Sequence, residues 1–338
     1  MTLVPITTVR AVDCPVVSKH YIITGGAGFI GSHLSERLLG EGHRVTVLDD
    51  FSTGRKQNIR HLLASPAFSL VSDTVENAQT INLLVSQADQ VFHLAAAVGV
   101  QLIVEQPVHT IRTCIRGTEV VLEACNRFGK PVLITSSSEV YGKGTRVPFS
   151  EDDDIVMGPT KHARWCYAYA KGIDEFLGLS YHKQYGLAAV VVRLFNTVGP
   201  RQVGMYGMVL PRFVEAAMSH RPLQVYGDGS QTRCFCHVSD VVEALIALTR
   251  TPSAVGQVFN VGGTDEISIR KLAERVIELA KSKSVIEQIP YEKAYGQTFD
   301  DLPRRVPSLE RIKATIGFSP RYDLTQIINE LIRSAAGG

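Results

Sequence analysis

The chain has no apolar run near the ~20 residues of a membrane span, so no transmembrane segment is expected. Residues 1–19 carry charges and prolines but no apolar stretch, which argues against a secretory signal. Cysteine is scarce and unpatterned: Cys14, Cys114, Cys125, Cys166, Cys234 and Cys236 form no C-x-x-C and no paired Cys/His ligand spacing. No metal site is expected, and the thiols read as reduced side chains of a cytoplasmic enzyme. Cys234 and Cys236, two apart in an apparent strand, would share one face. A charge of one sign is missing as well: 35 Lys and Arg against 33 Asp and Glu leave +2. That balance argues against nucleic acid or an acidic membrane held by bulk charge, though not against a few arginines meeting one phosphate group. Repeats and low-complexity stretches are absent too.

What is present is a globular composition, 45% hydrophobic and 20% charged over 338 residues, enough for about two domains. Apolar β-rich runs at 21–24, 45–48, 68–71, 91–94, 132–135 and 188–192 alternate with helical stretches at 30–39, 81–86, 108–128 and 163–184. Runs this apolar suit strands buried on both faces, and the alternation predicts an α/β fold with a doubly wound parallel sheet. Regularity loosens after Asn196, where Pro200, Gly204, Gly207 and Pro211 punctuate a loop, while 235–250 and 258–261 look like a return to the first sheet. The expected division is 18–196 plus 234–262 for one domain, with 197–233 plus 263–338 as a smaller, discontinuous substrate domain.

The first run leads directly into Gly25-Gly26-Ala27-Gly28-Phe29-Ile30-Gly31 and a helix, and Asp49 closes the next run. A G-x-G-x-x-G match alone is weak; strand before, helix after and acid beyond make it a Rossmann-type dinucleotide turn rather than an empty βα turn. Its glycines let backbone approach a pyrophosphate, and the helix N-terminus offers N–H groups to it. Asp49 would accept a ribose 2′-hydroxyl and repel a 2′-phosphate, favouring NAD, although Arg55 and Lys56 stand nearby. No G-K-[ST] follows, which excludes an ATPase-type loop.

Tyr167 and Lys171 are four apart in a helical stretch, so an ammonium can sit beside a phenol and lower its pKa toward neutrality. A phenolate is a suitable base for a hydroxyl proton while hydride leaves the same carbon. Taken alone the spacing is common, and Tyr169 on the same stretch shows how little one tyrosine means. The run at 132–135, however, ends in Ser136-Ser137-Ser138-Glu139-Val140-Tyr141-Gly142, placing hydroxyls at the carboxyl end of a central strand, where such folds bind ligands.

With these motifs, and with His93–Ala96, Arg193–Arg201 and Val225–Arg233 in order, the chain resembles the nucleotide-sugar branch of the extended short-chain dehydrogenase/reductase family from about Tyr21 to Leu331. The resemblance implies NAD as cofactor and a nucleotide sugar, most simply a UDP-sugar, as substrate. It makes Ser137 the catalytic hydroxyl, Tyr167 the base and Lys171 its partner and ribose ligand. The cofactor set becomes Gly25, Gly28, Phe29, Ile30, Gly31, Asp49, Asp50, Asp73, Leu94, Ala95, Ala96, Tyr167 and Lys171. Ser137, Ser138 and Asn196 fall to the substrate, with Arg233 and Arg305 toward its phosphates, a task suited to arginine's planar fork. Arg201 and Arg212 are weaker candidates for that task and read rather as surface or interdomain charges.

Glu139 is similar to the acid of UDP-glucuronate decarboxylases, whose T-S-E the chain approaches as Ser137-Ser138-Glu139, and it would order the sugar and relay a proton. Gln231–Phe235 and Arg193–Thr197 look decarboxylase-like too. Ala96-Ala97-Val98-Gly99-Val100-Gln101 instead resembles hexose 4-epimerases, the alternative reading. A 4,6-dehydratase, usually T-D-E, fits less well. A non-catalytic NAD-binding protein would commonly lack Ser137, Tyr167 or Lys171, all present here. The stretches 108–128 and 163–184 resemble the helix pair that forms a homodimer contact in the family.

Overall fold

The computed structural model describes residues 17–97, 99–204, 208–291, 293 and 302–336; Cys14, Val98, Gly207 and the side chains of Val100 and Gln101, which entered the reading above, lie outside them. In chain order the first strands are β1 (His20–Thr24), β2 (Arg44–Leu48), β3 (Phe68–Val71), β4 (Gln90–His93), β5 (Val132–Ser137) and β6 (Ala189–Leu194). The short strands β7 (Thr197–Val198), β8 (Leu223–Tyr226), β9 (Thr232–Cys234) and β10 (Cys236–His237) precede β11 (Val258–Val261), β12 (Glu266–Ser268) and β13 (Ile286–Ile289). The helices are α1 (Phe29–Gly40), α2 (Lys56–Ile59), α3 (Ala78–Ser86), α4 (Val100–Glu105), α5 (Pro107–Phe128) and α6 (Trp165–Tyr185). After them come α7 (Val209–Met218), α8 (Val238–Thr249), α9 (Ile269–Leu279), α10 (Glu310–Ile316) and α11 (Leu324–Ala336).

Seven of the strands form one sheet in the order β11-β6-β5-β4-β1-β2-β3, all neighbours parallel. Its apolar runs are explained by burial on both faces. Ile23 packs with Leu34 of α1 and Leu245 of α8, whereas the adjacent Ile22 joins Ile81 of α3 and Val121 of α5 on the other side. A separate core gathers Leu210, Phe213, Leu223, Leu272, Val276 and Ile328 from α7, β8, α9 and α11. Ile312 and Phe318, placed in the smaller domain by sequence, instead join the core over the main sheet.

Strand order reverses between β4 and β1, which opens a crevice at their carboxyl ends. The glycine turn after β1 and Leu94–Ala96 after β4 flank that crevice. Two expectations change. Within 235–250 the short β10 pairs outside the main sheet and α8 returns to cover that sheet, so only 258–261 adds a strand to it. Cys234 and Cys236 do not share one strand: Cys234 ends β9, antiparallel to β12, while Cys236 begins β10, parallel to β7. The ladder switches because the Cys236 N–H donates to the Asn196 carbonyl at 3.1 Å. Among the described residues the five cysteines are free, no helix is long and apolar enough to cross a membrane, and no cluster of three potential ligands could hold a metal ion.

Candidate active site

The glycine turn is built for close approach. Gly25 has φ +70°, and a Cβ there would lie 2.8 Å from the Ala95 nitrogen. A Cβ on Gly31 would lie 2.4 Å from the Gly25 carbonyl oxygen, so the turn closes only over hydrogen. No side chain caps the N-terminus of α1, and Gly28, Phe29 and Ile30 face the crevice. Asp49, at the end of β2, accepts from the Ala27 and Phe51 N–H groups at 2.9 and 2.8 Å. Burial raises its carboxyl, with those hydrogen bonds pulling the other way. Asp50 caps Ser52, accepting from its N–H at 2.9 Å. Asp73 accepts from Thr80 Oγ1 at 2.5 Å and from the Thr74 N–H and Asn77 Nδ2, both at 2.7 Å, and these bonds hold it below the usual carboxylate value.

β5 delivers the serines. Ser137 Oγ accepts from the Glu139 N–H at 3.2 Å and caps the 3₁₀ turn Ser138–Tyr141. Across the crevice, α6 presents Tyr167 and Lys171 one turn apart, 6% and 1% exposed. Lys171 Nζ donates to Asp174 Oδ2 at 3.1 Å. Burial pushes the Tyr167 phenol above its ordinary value, and the Lys171 ammonium offsets only part of that rise. This corrects the expectation that Lys171, helped by burial, brings the phenol toward neutrality: burial works against the cation, because desolvation of the phenolate outweighs one neighbouring ammonium that is itself shared with Asp174.

Glu139 is clamped. Arg305 Nη1 lies 2.5 Å from its Oε1 and Arg164 Nη2 lies 3.4 Å from its Oε2. Burial is the largest single influence and would raise this carboxyl. Arg305 and Arg164, with Arg233 farther off, together outweigh it and hold it at about 2. A carboxylate so firmly ionised has no proton to relay near neutral pH, which corrects the relay expected of it. Arg164 was missed because it belongs to no motif. Asp174 was missed too, although an acid three residues after Lys171 on a helix is a legible signal. Arg233 Nη1 donates to the carbonyls of Thr232 and Leu302 at 2.7 and 2.9 Å, and Asn196 Nδ2 to that of Cys234 at 3.0 Å.

A buried polar floor supports the end of β5. Ser136 Oγ donates to Glu175 at 2.5 Å, and Arg193 of β6 binds the same carboxylate through Nε and Nη2. Tyr141 stacks on Phe149 at 4.6 Å and donates to Asn260 Oδ1 of β11 at 2.7 Å.

Every site residue proposed from the sequence lines one cavity of about 450 Å³. Arg201 and Arg212 line it as well. Arg201 is ion-paired with Glu36 of α1, and the Arg212 guanidinium lies 4.5 Å over the Tyr226 ring.

The strand order, the glycine turn at its reversal and the Ser–Tyr–Lys set on β5 and α6 define an enzyme of the short-chain dehydrogenase/reductase class. The profile of the GDP-mannose 4,6 dehydratase family matches residues 22–331, and the chain belongs to that family. It is 42% identical to the UDP-N-acetyl-alpha-D-glucosaminuronate decarboxylase of Bacillus cytotoxicus, over 94% of this chain and 98% of that one. UDP-glucuronic acid decarboxylase 1 of Arabidopsis thaliana is 37% identical, over 92% of this chain and 68% of that one. The UDP-glucuronic acid 4-epimerase of Bacillus cereus, solved with UDP-glucuronic acid and NAD, superposes with a TM-score of 0.85 at 25% identity, over 94% of this chain and 99% of that one.

Proposed function

We propose that the chain is an NAD-dependent UDP-hexuronate decarboxylase acting through a transient 4-keto sugar. UDP-glucuronate would give UDP-xylose, and a 2-acetamido uronate would give the corresponding pentoside. The observation that carries this reading is Glu139, clamped by Arg305 and Arg164, lining one cavity with Ser137 and Tyr167. Relatives that decarboxylate UDP-hexuronates support it.

The site fits NAD: the positions where Cβ atoms would fill the turn are glycines, the α1 N-terminus is uncapped, and Asp49 stands at the end of β2. Those groups would hold the pyrophosphate and adenosine ribose, with Asp50, Asp73 and Leu94–Ala96 beside them and Lys171 on the nicotinamide ribose. Bound there, NAD would supply reversible hydride transfer at C4.

Tyr167 removes the C4 hydroxyl proton as the hydride leaves C4. The 4-ketone is β to the C6 carboxylate, so the C5–C6 bond breaks, carbon dioxide departs and the electron pair is delocalised onto O4. Ser137 and the protonated Tyr167 donate to that oxygen. Glu139, as a fixed anion, orders Arg164 and Arg305. C5 takes a proton from water reaching the cavity, where the Glu139 side chain keeps 18% exposure. Tyr167 finally returns its proton to O4. Arg233 and Arg305 meet the diphosphate, with Asn196 and Ser138 on the substrate.

A 4-epimerase is the second reading, favoured by the likeness to the Bacillus cereus enzyme and by the small Ala96 and Ala97 after β4. Incubation with UDP-glucuronate and with its 2-acetamido analogue in deuterated water separates the two. Carbon dioxide and a pentose product deuterated at C5, without NADH accumulating, are expected. A six-carbon product without C5 deuterium would decide for the epimerase.

A homodimer through α5 and α6 also belongs to this reading. Tyr169, Ile173 and Phe176 form an exposed stripe along α6, and Val108 and Ile111 are exposed on α5. Free thiols at the five described cysteines support a cytoplasmic setting.

A further inference from the structure

The Lys171–Asp174 pair is almost sealed from solvent, its side chains 2% and 0% exposed. Taking an ammonium and a carboxylate out of water is costly, and an apolar pair of similar volume is often no less stable. A pair kept under that cost, its lysine one turn from Tyr167, calls for a role. We propose that Asp174 is the counter-ion that keeps buried Lys171 an ammonium, and is therefore a positioning residue for the Tyr167 base. This rests on the reading of Tyr167 as the base.

The reasoning starts from Lys171. Burial is the largest influence on it and favours the neutral amine; Asp174, the largest opposing influence, outweighs it together with smaller contributions from Cys114 and Tyr167, and Lys171 stays above the ordinary lysine range. The other titratable neighbours do not substitute for Asp174. His93 of β4, hydrogen-bonded to Thr24 at 2.8 Å and Thr118 at 3.0 Å, is held neutral by burial with a pKa of about 3. Cys114 of α5 and Tyr167 itself are pushed upward by burial and stay protonated. Glu175, next to Asp174 on α6, is engaged by Arg193 and Ser136. Glu139, across the crevice, is engaged by Arg305 and Arg164. A neutral amine would neither draw the phenol toward ionisation nor hold a phenolate.

The test is titration of Lys171 in protein carrying ¹³Cε-labelled lysine, its signal assigned by loss in Lys171→Met. The wild-type signal should remain that of an ammonium between about pH 6 and 9. In Asp174→Asn a midpoint should enter that window, because burial alone lowers a lysine by up to about 3–5 units. Asp174→Glu should restore the wild-type behaviour. In parallel, kcat of Asp174→Asn should gain an alkaline limb, whereas a merely structural defect would lower kcat equally at all pH values. A wild-type Lys171 that titrates inside the window overturns the proposal, even where Asp174→Asn does not fold. So does an Asp174→Asn signal that stays flat. A Tyr167→Phe variant of normal rate sinks the base assignment but leaves the lysine titration standing, so the two failures are distinguishable.

Discussion

At Tyr167 a single oxygen separates packing from chemistry. The ring is buried beside Ile103, Cys114 and Ala170, so Tyr167→Phe keeps the packing and removes only the hydroxyl of the proposed base. Its rate should fall about 10²–10⁴-fold with an unchanged melting temperature; the same loss in Tyr169→Phe instead would refute the register. Glu139 couples chemistry to stability. Its carboxyl lies at about 2 in the folded chain against 4.5 as the ordinary value, a depressed acid. The stabilisation it brings is complete above about 4.5 and is lost as pH falls from there toward 2. Glu139→Gln should lack that component in urea melts recorded across the range. At neutral pH it should be less stable, by about 3 kcal/mol on the size of that shift, because Arg305 and Arg164 lose their anion. Its carbon dioxide release should slow about 100-fold through misplaced groups, with NAD affinity unchanged. That an acid follows the proposed catalytic serine by two residues was plain in the sequence. Its charge state was not, because Arg164 and Arg305 reach it only through the fold.

Among the elements, the glycine turn gives the sharpest expectation. Gly31→Ala would drive a methyl group against the Gly25 carbonyl and force the turn open. About 1–3 kcal/mol of stability should go, and calorimetric titration should show weaker NAD binding; a normal affinity would mean that the turn does not carry the pyrophosphate. The strands of the main sheet were legible because burial on both faces writes an uninterrupted apolar run, as at β1 and β5. α3 began earlier than its apolar pattern, at Ala78, because the Asn77 side chain caps it by accepting from the Gln79 and Thr80 N–H groups. β7, β9 and β10 were not legible: two or three residues cannot display a period, and their partners lie far off in the chain. Hence Cys234 and Cys236 looked like neighbours on one strand.

The whole molecule should assemble through the faces of α5 and α6. Phe176, 69% exposed on the α6 stripe, is the residue to change. Phe176→Glu should convert a dimer to a monomer in light scattering while leaving the melting temperature of each protomer nearly unchanged. A wild-type monomer at micromolar concentration would remove the dimer. The order in which the sheet is completed carries another consequence, one of biosynthesis. β6 leaves the ribosome well before β11, the strand that covers its edge. Until then a row of backbone groups along β6 stands open to pairing with another chain. Asn260, which anchors Tyr141 beneath the serines, arrives with that same late strand. A nascent chain thus displays its glycine turn, serines and tyrosine before the ground under them exists, and an early termination product would be sticky and inert together.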